Sequence, residues 1–145
     1  MAPRLFLKAG DLLLYQPVTM METIWCGLTR RPIAHLEVYD GHRYSLASRR
    51  ETGVGLYPMR LAHLAWVLRP AARLDVEAGR AFVDARRGMS HAQVSAAAAA
   101  VGYLRAAGWD VFPGEKSERI APCQFLELIG KGCSVVYEAT AHLDT

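Results

Sequence analysis

Two residue types with the chemistry of acyl transfer stand at telling points of this chain, a histidine inside an apolar strand and a cysteine after a glycine turn. His35 lies in the run AHLEVY. Strand alternation puts His35, Glu37 and Tyr39 on one face and Leu36 and Val38 on the other. Cys133 follows Gly130-Lys131-Gly132. The spacing of Val135, Val136, Ala139 and Leu143 predicts a helix over 134–143, which would set Cys133 at its start. A thiol there feels the positive end of the helix dipole and unpaired N–H groups. Both favour the thiolate, the reactive form, which is scarce at an unperturbed pKa of about 8.5. An imidazole within reach would complete a base–nucleophile pair, and the N–H groups would hold a developing oxyanion.

Such a pair works best when a third group orients the imidazole. The strand after His35 reads RYSLASR and carries no carboxylate, so Ser45 is the first choice for that role. Ser48 is a second polar candidate, Glu37 is the nearest acid on the His35 face, and Glu51 lies just beyond. Cys123, between Pro122 and QFLELIG, is the rival nucleophile, and Cys133 is preferred because its following segment reads better as a helix. Cys26, beside Trp25, reads as packing, as do the three tryptophans. Tyr15 reads as a strand tyrosine half in the core. His42, His63, His91 and His142 have no partner at telling spacing.

The elements that must position these groups are legible in outline. LLLYQP after Gly10-Asp11 reads as a buried strand ended by Pro17. Residues 18–32 read as a short helix or irregular loop. Residues 33–39 and 43–48 form two strands about an Asp40-Gly41 hairpin. Gly53-Val54-Gly55 reads as a turn, and 66–70 as a strand stopped by Pro70. Helical spacing covers 76–86, and Ser90 is the expected N-cap of a second helix over 91–107, ended by Gly108. Residues 113–122 read as an exposed loop and 124–129 as a strand or short helix. Strands crowd the first half and helices follow, which predicts an α+β domain over residues 1–145.

Composition narrows the function classes. The 145 residues are 52% hydrophobic and 21% charged, as in a compact domain. The net charge is +3, and the arginines come as scattered pairs, Arg30–Arg31, Arg49–Arg50 and Arg86–Arg87. These read as solvated surface, and nucleic acid is not an expected partner. Three cysteines with no C-x-x-C pair predict neither a disulfide framework nor a zinc site. No run approaches the ~18 apolar residues of a membrane span. The opening MAPRLFLKAGD lacks the long apolar region of a signal peptide, so the expectation is a cytoplasmic protein, or one delivered by phage or secretion machinery.

The order GDLLLYQP, HLEVYDG, a second strand and a late CSVVYEA resembles the circularly permuted NlpC-like group of papain-fold proteins, which includes YiiX-like bacterial hydrolases and relatives of lecithin retinol acyltransferase. The resemblance spans about residues 9–70 and 124–143. It implies a papain-like antiparallel sheet packed with helices, His35 as base and Cys133 as nucleophile. It also implies an amide or ester substrate (a peptide, a cell-wall peptide or an acyl lipid) and no metal or organic cofactor. The competing expectations are an acyltransferase of the lecithin retinol acyltransferase type and a degenerate papain-like domain that binds peptide or lipid without turnover.

Overall fold

A computed structural model describes residues 6–17 and 33–139. The helix or loop expected over 18–32, with Trp25 and Cys26, lies outside the described residues, as does His142. Six strands form one antiparallel sheet: β1 (Leu12–Tyr15), β2 (His35–Tyr39), β3 (Tyr44–Arg49), β4 (Gly53–Pro58), β5 (Leu64–Pro70) and β6 (Cys133–Glu138). Their spatial order is β4-β3-β2-β1-β5-β6. The described residues also form two α-helices, α1 (Val76–Asp84) and α2 (Ala96–Ala106), and two 3₁₀ segments, η1 (Ser117–Arg119) and η2 (Pro122–Leu128), in an α+β arrangement.

Alternation along the central strands builds the core. Leu12, Leu14, Leu36, Val38, Leu46 and Leu68 share one face and pack against α2, η2 and Val83 of α1. Each such buried side chain is worth about 2 kcal/mol of burial. Leu13, Tyr15, Tyr39, Leu64 and Val67 make a smaller cluster on the opposite face. The β2–β3 hairpin turns at Asp40, whose Oδ1 accepts from the backbone N–H groups of His42 (2.7 Å) and Tyr44 (3.1 Å). The Gly10-Asp11 pair belongs to the same end of the sheet. Asp11, 1% exposed, takes a bidentate pair from Arg69 of β5 at 2.9 and 2.8 Å and a third bond from the Lys8 N–H.

The helices meet by exchanging rings for glycines. A Cβ on Gly79 of α1 would lie 2.8 Å from the Tyr103 ring of α2, and one on Gly102 of α2 would lie 2.0 Å from the Phe82 ring of α1. These helix-interior glycines give up propensity for close approach. Asp75 caps α1, its side chain accepting from the Ala78 N–H.

Three local expectations change, and one alternative is settled. Gly53–Pro58, read as turn and connection, is a strand paired along its length with β3. Ser90 does not begin the second helix: it forms a local turn with Gln93, and Ser95 caps α2 by accepting from the Ala98 N–H at 3.1 Å. Of the strand and the short helix that 124–129 allowed, the helix forms, over 122–128, with Pro122 at the first position, where its missing N–H costs nothing. Residues 133–138, expected in a helix, form edge strand β6 against β5. The β-branched and aromatic run VVY suits a strand, and β5 offers an edge to pair with.

Candidate active site

The register of β1 and β2 sets His35 opposite Tyr15, and that of β1 and β5 sets Tyr15 opposite Leu64. The site therefore occupies the end of the sheet where β1 finishes and β2 begins. The His35 and Tyr15 rings are 5.9 Å apart at 42°. Glu37, two residues along the same face, is 1% exposed and gathers the polar groups around it. His35 Nε2 lies 2.8 Å from Glu37 Oε2. Arg49 of β3 donates from Nε to Oε2 at 2.9 Å and from a terminal nitrogen to Oε1 at 3.0 Å.

Burial by itself would raise the Glu37 pKa. The hydrogen bonds and charges of His35 and Arg49 outweigh it and bring the carboxyl down to about 2. Glu37 is thus ionised near neutrality and can only accept. Nε2 of His35 must then carry the proton, and in the neutral ring Nδ1 holds the lone pair. That is the arrangement a general base needs: one nitrogen is clamped by a carboxylate, and the other has no hydrogen-bond partner among the described residues. The orienting role expected of Ser45 falls to Glu37. Ser45 pairs opposite Tyr39 and is fully buried, with no hydrogen-bond partner for its hydroxyl among the described residues. Ser48 faces the helices, where its hydroxyl donates to the Val94 carbonyl. Glu37 was visible in the sequence as the acid at i+2 on the His35 face. Arg49 was not, since the Arg49–Arg50 pair read as solvated surface whereas the Arg49 side chain is only 12% exposed.

A cleft of about 150 Å³ opens over this cluster, lined by Tyr15, Gln16, His35, Arg49, Arg50, Glu51, Arg60, Ala62 and His63. Tyr15 is both core and cleft wall. Its hydroxyl donates to the Arg60 carbonyl at 2.8 Å, and burial, with the Glu37 charge, raises its pKa.

The two candidate thiols are placed very differently. Cys133 opens a strand, so no helix dipole acts on it. It pairs with Pro70 at the far end of β5 from Leu64, on the third strand from β2. With strands ~4.8 Å apart and ~3.3 Å per residue along them, Cys133 and His35 are separated by on the order of 20 Å. Burial, and then the Asp11 charge, push the Cys133 thiol up to about 12. It is a protonated packing residue, and the fold does not bring the expected Cys133–His35 pair together. Cys123 stands at the second position of η2, which packs against β2. It is 7% exposed and lines a second cavity with Ala34, Arg50, His91 and Ser95, among others. The two cavities share Arg50 and flank the Ala34–His35 peptide. His91 has its pKa lowered by burial, then by Arg50 and His35. Neither thiol is hydrogen-bonded to an imidazole among the described residues.

Pro122 at a first helical position was the signal that would have favoured Cys123. Among the described residues no group of three or more His, Cys, Asp or Glu side chains is arranged to hold a metal, and no helix is long and apolar enough to cross a membrane. Comparison with family models, with curated proteins and with solved structures finds no match.

Proposed function

We propose that the chain is a papain-like thiol hydrolase or acyltransferase acting on an amide or ester, with His35 as general base and Cys123, in place of Cys133, as nucleophile. One observation carries this reading. The His35 ring is clamped through Nε2 to an ionised, buried carboxylate, which leaves Nδ1 to act as base, and the adjoining Ala34 lines the same cavity as Cys123. In the reaction, Nδ1 takes the Cys123 proton and Sγ forms a bond to the substrate carbonyl carbon. The carbonyl–nitrogen or carbonyl–oxygen bond then breaks, and the leaving group takes the proton back from the imidazolium. Water, or a second acceptor, cleaves the thioester by the reverse proton route.

A second reading, a domain that binds in the same cleft without turnover, is favoured by a specific observation. Cys123 belongs to the helix-covered side of the sheet, whereas the His35 ring lies with Tyr15 and Glu37 on the other. Reaction with p-nitrophenyl acetate, followed by intact and peptide mass spectrometry, separates the two. The hydrolase reading expects one acetyl group on Cys123, absent in Cys123→Ser, formed ~100-fold more slowly in His35→Ala and unaffected in Cys133→Ser. Absence of acetylation in the wild-type chain, or acetylation confined to Cys133, favours the binding domain.

A further inference from the structure

The charges around the cleft exceed what Glu37 needs. Arg49 already satisfies both Glu37 oxygens, and His35 adds a third bond. Arg60 comes within 3.8 Å of Oε2, too far for a hydrogen bond, and its side chain is 52% exposed. Its guanidinium therefore sits at the cleft with its donors uncommitted to that carboxylate. Arg50, His35 and His63 line the same space, and Glu51 is the single acid among the described lining residues.

The backbone that presents Arg60 is held from several sides. The Tyr15 hydroxyl donates to the Arg60 carbonyl at 2.8 Å. The Gln16 N–H donates to the His63 carbonyl at 2.8 Å, the Leu64 N–H to Leu61 at 3.1 Å, and the Met59 N–H to Arg43 at 3.0 Å. His63 is kept in the left-handed region, at φ 64°, which a non-glycine residue rarely adopts without compensation. A turn fixed in this way presents the Arg60 side chain to the cleft from an ordered backbone, and a guanidinium fork suits carboxylate or phosphate oxygens.

We infer that Arg60 is the specificity-determining residue of this cleft, and that it selects substrates carrying an anionic group, carboxylate or phosphate, beside the reacting carbonyl. The word substrate rests on the hydrolase reading. The recognition does not, because anion binding requires no thiol chemistry.

The test uses the full chain as Cys123→Ser, titrated calorimetrically with hippurate, its neutral amide hippuramide, and phenyl phosphate. At least one anion binds about tenfold more tightly than hippuramide, and whichever anion leads identifies a carboxylate or a phosphate source. Arg60→Gln in the same background abolishes the preference, Arg60→Lys restores part of it, and Arg80→Gln, on α1, leaves it intact. Thermal unfolding of Arg60→Gln matches the parent, since the side chain is half exposed. Equal binding of charged and neutral probes, no binding of either anion, or a preference that survives Arg60→Gln overturns the inference. Arg60-dependent anion binding in a chain that cannot be acetylated supports this inference while removing the hydrolase reading.

Discussion

At the scale of the residue, Glu37 does more than orient an imidazole. It is a buried carboxylate whose charge is balanced by Arg49 and His35, and its pKa falls to about 2 from an ordinary value of 4.5. A group whose folded pKa is depressed contributes stability above its unfolded pKa and loses that contribution as pH falls toward the folded one. The wild-type chain should therefore lose a few kcal/mol between about pH 4.5 and pH 2, at 1.36 kcal/mol per unit. Glu37→Gln should be less stable at neutral pH and should show a shallower slope in that window, read by urea denaturation at a series of pH values. An equal slope in both chains would place the acid sensitivity elsewhere. The pairing of His35 with Glu37 was legible because strand alternation is strict. The choice of Ser45 was not safe, because the sequence does not say which neighbouring side chain reaches the ring first.

At the scale of the element, the readable parts were those with a single dominant signal. Strand β1 is a short apolar run after a glycine, the β2–β3 hairpin turns at Asp40-Gly41, and α1 has helical spacing through residues 76–86. The misread parts had two. Ser90 and Ser95 both precede alanine-rich sequence, and only Ser95 reaches the first free helical N–H groups. Val135, Val136 and Ala139 fit a helix on paper, but Cys133–Glu138 forms an edge strand against β5. Glycines inside α1 and α2 look like weak points of helix propensity, yet they seat aromatic rings of the facing helix. Gly102→Ala, which raises helix propensity, should destabilise the fold by about 1–3 kcal/mol through overpacking against Phe82. Its urea midpoint should fall with an unchanged slope. A rise in midpoint would mean that the ring moves aside at little cost.

At the scale of the whole molecule, the sheet has two ends with different tasks. One carries His35, Glu37, Arg49 and Arg60, with Cys123 on the adjoining helix. The other holds Asp11 between Lys8 and Arg69, beside the end of β6 where Cys133 is buried. The Gly10-Asp11 motif is thus a structural clamp between β1 and β5. Asp11→Ala, which leaves Arg69 without its carboxylate, should cost about 3 kcal/mol. It should do so without altering the site at the opposite end, measured as unchanged NMR chemical shifts of the His35 ring at fixed pH. The α+β class could be read from the order of elements. Which cysteine lies at the histidine's end of the sheet could not, because that depends on which end of the sheet each segment meets.

The central claim is that Cys123, and not Cys133, is the reactive thiol and that His35 activates it. The most direct measurement is the pH dependence of iodoacetamide labelling, mapped by peptide mass spectrometry in the wild-type chain, His35→Ala and Cys133→Ser. Cys123 should be labelled well below pH 8, more slowly once His35 is removed and still without Cys133. Cys133 itself, with its thiol pushed up to about 12, should stay unlabelled in the folded chain. Rapid labelling of Cys133, or labelling of Cys123 no faster than a free thiol and indifferent to His35, would contradict that claim.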